Sequence, residues 1–237
     1  NQEEINLSRI KTMMQDDEGN VWLVSGTGIT LSFGNKLTFI KKAGDFPVDN
    51  IHALIACDDG SIWFANDRGV FRFFTNRLND IKKFNTGLDL SRQKIMSLHR
   101  DPFGFIWIGT FGQGLLRLDP QTGKTTHITE NDGLVNGNVL AIKGTEKELW
   151  FATLGGASRV KISEKLQQPG YKPLFENFGK KEGLSNNFIY DLHIDQKNRV
   201  WFATDGSGVI VYENDSFSNL NNEEEFSNKV VYSVSTC

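Results

Sequence analysis

Four histidines, two cysteines and a set of regularly placed aspartates are the residues of this sequence with the means to do chemistry. His99 and His193 each stand eight residues before a tryptophan, Trp107 and Trp201. Imidazoles recurring at an equivalent position can ring a metal, or they can be hydrogen-bonded polar groups against a neighbouring sheet, and the second is expected here. His52 and His127 fall at other positions and are expected to face solvent or a neighbouring strand. Asp16-Asp17-Glu18-Gly19-Asn20 superficially suggests calcium, but its glycine comes too early and no bidentate glutamate follows at the right distance, so it reads as a hairpin turn. Cys57 reads as a small buried residue, and nothing in the sequence pairs it with Cys237. No H-E-x-x-H, C-x-x-C, G-x-x-x-x-G-K-[ST] or G-x-S-x-G motif occurs, and no catalytic residue, metal ligand or cofactor is assigned.

The elements that would have to position such groups are fixed by the tryptophans. Trp22, Trp63, Trp107, Trp150 and Trp201 are separated by 41, 44, 43 and 51 residues, the period at which four-stranded propeller blades recur. Each follows an aliphatic residue (Val21, Ile62, Ile106, Leu149, Val200) and precedes another large apolar one (Leu23, Phe64, Ile108, Phe151, Phe202). A small residue comes next, then Ser25, Asn66, Thr110, Thr153 or Thr204, then a glycine turn at Gly28, Gly69, Gly114, Gly156 or Gly208. Upstream, Ile10, Ile51, Ile95, Val139 and Ile189 open a first strand, and Asp16, Asp101 and Asp195 lie six residues before their tryptophan in a polar hairpin. Fourth strands are weaker and are placed near 37–40, 81–84, 125–128, 174–178 and 217–220.

This pattern predicts an all-β fold, a β-propeller of four-stranded antiparallel blades. The repeats run approximately over 9–42, 50–85, 94–130, 138–179 and 188–221, and 226–237 copies the start of a sixth. A four-stranded sheet cannot bury both faces alone, so each blade must stack on the next. Either the chain is an arc of a longer propeller, or its last strand closes the ring with residues 1–9.

Bulk composition agrees. The sequence has 237 residues, 38% of them hydrophobic, with 23 Gly and 18 Phe against 5 Pro, which suits tight turns between aromatic-rich strands. A net charge of -3 with dispersed signs leaves no basic stripe for a phosphate backbone, so nucleic acid is not an expected partner. No run approaches the roughly 20 apolar residues of a membrane span, and the first residues lack the layout of a signal peptide, so the chain as given reads as soluble and as an excised or mature segment.

In a propeller the loops between second and third strands share one face with the connections between blades. That face predicts ligand contacts at Asp67, Arg68, Phe111, Gln113 and Asp205 from the inner loops, and at Arg92, Asn138 and Asn187 from the lead-ins to blades. Two cations, carboxylates, amides and an exposed phenylalanine suit a polyhydroxylated or acidic sugar.

Asp101-Pro-Phe-Gly-Phe-Ile-Trp-Ile-Gly-Thr-Phe-Gly-Gln-Gly-Leu-Leu-Arg and Asp195-Gln-Lys-Asn-Arg-Val-Trp-Phe-Ala-Thr-Asp-Gly-Ser-Gly-Val resemble the two-component regulator propeller repeat, as do the Gly-Leu pairs at Gly87, Gly133 and Gly183. The first and fourth repeats diverge most from it. The resemblance implies a periplasmic sensor region, part of a seven-bladed propeller, in an inner-membrane hybrid histidine kinase. It further implies an oligosaccharide or other small polar ligand, and as partners further blades, membrane-spanning kinase modules and a second subunit. Phosphotransfer would reside in those other modules, so this segment is not expected to be an enzyme. A protein-interaction scaffold, or a metal-dependent lyase or lactonase on the same fold, are the alternatives.

Overall fold

The computed structural model describes residues 10–16, 18–34, 36–40, 42–43, 46–75, 77–87, 94–220 and 229–235. The chain divides into two compact units, Asn1–Leu98 and His99–Cys237. The first holds two antiparallel sheets. One is built in chain order from β1 (Ile10–Gln15), β2 (Val21–Ser25), β3 (Gly28–Phe33) and β4 (Lys36–Ile40). After the short hairpin of β5 (Lys42–Ala43) and β6 (Phe46–Pro47) comes the other, of β7 (Ala53–Ala56), β8 (Ser61–Asn66), β9 (Gly69–Phe74) and β10 (Arg77–Phe84). Their apolar faces meet in one cluster, where Trp22 sits edge-on to Phe73 with ring centroids 6.1 Å apart.

The division between units falls inside β11 (Ile95–Arg100), which opens a third sheet continued by β12 (Ile106–Thr110), β13 (Leu115–Leu118) and β14 (Thr125–Ile128). The second unit then adds β15 (Val139–Gly144), β16 (Glu148–Thr153), β17 (Gly156–Lys161) and β18 (Glu176–Phe178). Its last sheet comprises β19 (Ile189–Ile194), β20 (Val200–Thr204), β21 (Val209–Glu213) and β22 (Ser216–Asn219). The five four-stranded meanders among the described residues, each in sequence order, are the blades of a β-propeller. Among the described residues helix is confined to 3-10 turns.

The tryptophans lie on the second strand of every blade, as their spacing predicts. Four are buried and Trp201 is half-buried. In the second unit, Trp107 packs on Phe151 of the following blade at 5.5 Å and Trp150 on Phe202 of the next at 5.7 Å. Each such aromatic pair contributes about 0.5–1.5 kcal/mol beyond its burial. The residue paired with the indole across the sheet is an arginine in three blades, Arg72, Arg117 and Arg159, and its guanidinium lies over the ring at 5.2–5.8 Å. In the fifth blade Val211 takes that place and Arg199 covers Trp201 from the hairpin instead.

The indole N–H is satisfied in every blade. Asp16, Asp101 and Asp195 each use one oxygen to accept backbone amides of their hairpin and the other to accept the indole, at 2.8, 2.8 and 2.9 Å. In the second blade, where Cys57 replaces the aspartate, Ser61 Oγ accepts at 3.1 Å, and in the fourth Glu148 accepts at 2.7 Å. Two expectations need adjusting. Ile51 lies ahead of β7 rather than in it, and the fourth strand of the fourth blade begins at Glu176, not near residue 174.

Candidate functional site

At one end of each blade the second strand stops at a hydroxyl or amide that closes the turn. Thr110, Thr153 and Thr204 donate from Oγ1 to the carbonyls of Gly114, Gly156 and Gly208 at 2.8, 2.6 and 2.9 Å, and Ser25 donates to Gly28 at 3.2 Å. Asn66 accepts the Arg68 amide. These repeated polar residues are therefore structural, and they fix the backbone from which the loop side chains project. The connections between blades are tied to the same end: in the second unit Gly112 and Gly114 donate N–H to the Gly137 carbonyl, and Gly208 donates to that of Lys229.

In the first unit, Asp67 and Arg68 occupy the β8–β9 turn. Asp67 Oδ1 lies 2.6 Å from His52 Nε2, and Arg68 donates from Nη1 to Asp49 Oδ1 at 2.8 Å. The two candidates thus satisfy neighbours in their own blade, while both stay more than half exposed. His52 was expected to face solvent or a neighbouring strand; it pairs instead with the loop. The pairing follows from register, since the His52 amide donates to the Ala65 carbonyl and so sets its side chain beside the end of β8. Arg92 lies outside the described residues.

In the second unit, Phe111 and Asn138 come together through an isolated antiparallel bridge, with Phe111 half exposed to solvent. Asn138 donates from its amide and from Nδ2 to Asn136 Oδ1 at 2.9 and 3.1 Å. The Gln113 carbonyl lies 2.6 Å from His127 Nε2. In the fifth blade Asn186 donates to the Asp205 carbonyl, and the Asp205 amide donates to Phe188. Asn187 keeps a buried Oδ1 with no hydrogen-bond partner among the described residues. Tyr190 occupies the bulge between Ile189 and Asp191, a device that redirects a side chain, and it meets the Asp205 carboxylate. Burial and that carboxylate push its phenol up. Tyr190 also stacks on Tyr232 with centroids 5.3 Å apart, and Tyr232 is 74% exposed. This aromatic pair was not foreseen, because it depends on a bulge and on residues 229–235 lying against the blade.

His99, by contrast, sits near the far end of β11. Burial first, and Lys143 second, depress it to about 4, so it is neutral near neutral pH. A Cβ on Gly144 would come within 2.4 Å of Leu149 Cδ2 and 2.8 Å of His99 Nε2, so the imidazole lies close over a position without a side chain. No group of three His, Cys, Asp or Glu able to hold a metal lies among the described residues. What the loop end offers is hydrogen-bonding side chains beside exposed aromatic faces, a chemistry of binding.

A family model described as the two component regulator propeller matches residues 89–112 and 183–206. The chain carries two-component regulator propeller repeats. The matched stretches contain Asp101 with Trp107 and Asp195 with Trp201, the pairs described above. Among solved structures, the repeats are similar to the extracellular domain of BT3049 from B. thetaiotaomicron, described as a hybrid two component system, at 20% identity and TM-score 0.73 over 97% of this chain and 31% of that one. They are also similar to the extracellular domain of BT4673 from the same organism, at 25% identity and TM-score 0.62 over 89% of this chain and 31% of that one. The chain thus spans about a third of the length of these domains. Virginiamycin B lyase from Staphylococcus aureus shares the fold at 17% identity and TM-score 0.66, over 88% of this chain and 68% of that one, so the architecture by itself does not select an activity. No curated protein matches the chain.

Proposed function

We propose that this chain is the extracytoplasmic, ligand-sensing propeller segment of a two-component sensor histidine kinase, and that it recognises an oligosaccharide at the loop end of its blades. The observation that carries this reading is the pair of two-component regulator repeats, supported by fold-likeness to extracellular domains of such systems. The loop-end chemistry suits the ligand. Exposed Phe111 and Tyr232 offer faces for sugar rings, while Asp205 and Asn187 of the same unit offer the hydrogen bonds that fix hydroxyl groups. On this reading the segment works in the periplasm, joined to further blades and to membrane-spanning kinase modules, and in a homodimer.

Blades stacked through buried tryptophans resist deformation, so binding would act by shifting how subunits meet and not by reshaping a blade. Isothermal titration of the chain against a panel of neutral and acidic oligosaccharides tests this. The expected result is saturable binding of at least one, weakened about tenfold or more by Phe111→Ala or Asp205→Ala. A panel in which nothing binds would overturn it.

A further inference from the structure

In four blades the third and fourth strands are joined by the short connections 34–35, 75–76, 119–124 and 214–215. In the fourth blade the connection is 162–175. It is held firmly: Leu166 is fully buried, Pro173 is buried, and the Ile162 amide donates to the Lys147 carbonyl at 2.8 Å. The buried Arg117 guanidinium donates from Nη2 to the Gln168 carbonyl at 3.3 Å, and Lys172 pairs with Asp132 at 2.8 Å. Yet Leu174 on the same insert is 88% exposed. A loop ordered at this entropic cost, with a leucine held out to solvent, is a preformed wall.

Behind that wall is a cavity of ≈ 380 Å³ bordered by Arg159, Lys161, Lys165, Tyr171, Leu174 and Phe175. This lies within the range of small-molecule sites, about 300–1,000 Å³. Glu176 also lines it, and its carboxylate is taken up by Arg159, so the charge left over is positive. Arg159 is neutralised by Glu176 at 2.6 Å and Glu148 at 3.6 Å, whereas Lys161 and Lys165 form no ion pair among the described residues. Two exposed ammonium groups therefore stand beside half-buried Tyr171 and Phe175 and an uncovered leucine.

We propose that this pocket on the fourth blade binds a small ring compound bearing a carboxylate, with the lysines taking the anion and the aromatic and leucine side chains taking the ring. The site is separate from the loop-end residues, and its ligand need not be the oligosaccharide sensed there. Amide chemical shifts of the 15N-labelled chain, followed during titration with glucuronate, benzoate and glucose, provide the test. Saturable shifts at residues 161–175 with glucuronate or benzoate, absent with glucose, are expected. The response to the two acids distinguishes a sugar ring from an aromatic one. The double variant Lys161→Gln, Lys165→Gln, whose exposed positions leave the core untouched and which sets no second carboxylate opposite Glu148, should bind about tenfold or more weakly with an unchanged melting temperature. Shifts absent with both acids, equal with glucose, or undiminished in the double variant would overturn the proposal. Because the loop-end residues are intact throughout, either outcome leaves oligosaccharide binding there to be judged by its own titration.

Discussion

The aspartate that serves both hairpin and indole sets the pH behaviour of its blade. At Asp195, burial works to raise the carboxyl, but N–H groups of Trp201, Arg199 and Lys197 outweigh it and hold the group well below the usual carboxylate range. Its folded value is thus below the unfolded value of about 3.9, so its stabilisation is complete above that pH and is lost as pH falls through the folded value. Asp101 differs in sign. Deeper burial raises it despite hydrogen bonds from Trp107 and the Phe105 and Phe103 amides, so its ionisation withdraws stability as pH rises through the folded value. Asp195→Asn sets an NH2 group against an N–H donor and should cost about 1–3 kcal/mol at neutral pH, the difference shrinking in acid. Asp101→Asn should cost less at neutral pH, since it also removes the penalty of a buried charge. Urea denaturation of the three proteins at neutral and acid pH checks both; an equal, pH-independent loss would count against this account.

Among the elements, the turn after each second strand is the most constrained. Gly114 has φ +72°, and a Cβ there would stand 2.4 Å from the Ile128 carbonyl oxygen. Gly123 has φ +73° with open space around it. Gly114→Ala should therefore destabilise by well over 1 kcal/mol, beyond the cost of positive φ alone, whereas Gly123→Ala should incur only that cost, about 1 kcal/mol. Comparing denaturation midpoints of the two variants decides it. The glycine turns, the second strands and four of the five first strands were legible in the sequence, because strands covered on both faces spell out a continuous apolar run around each tryptophan. The insert at 162–175 was not. Its Leu166 is buried in the cluster of Trp107, Leu149 and Phe151 and its Pro173 is buried too, and they leave no periodic trace. The site was less legible still: the His52 and Asp67 pair, and Tyr190 against Asp205, arise from strand register and a bulge that residue spacing does not encode.

For the molecule as a whole, cohesion within the second unit runs through tryptophans that bridge blades. Trp150 meets Phe178 and Arg159 in its own sheet and Phe202 and Tyr212 in the next. Trp150→Ala should cost about 3–5 kcal/mol, and half-buried Trp201→Ala distinctly less, as read from thermal or urea unfolding; similar losses would argue against blade-to-blade packing as the source of stability. The oxygen answering each indole has a wider consequence. An aspartate six residues upstream, a serine or a glutamate two residues upstream all serve, so one copy of the unit can change its spelling without changing its shape. Tandem copies under such loose demands drift apart in letters while staying superposable, and a signature written in letters then detects two of them where geometry displays five.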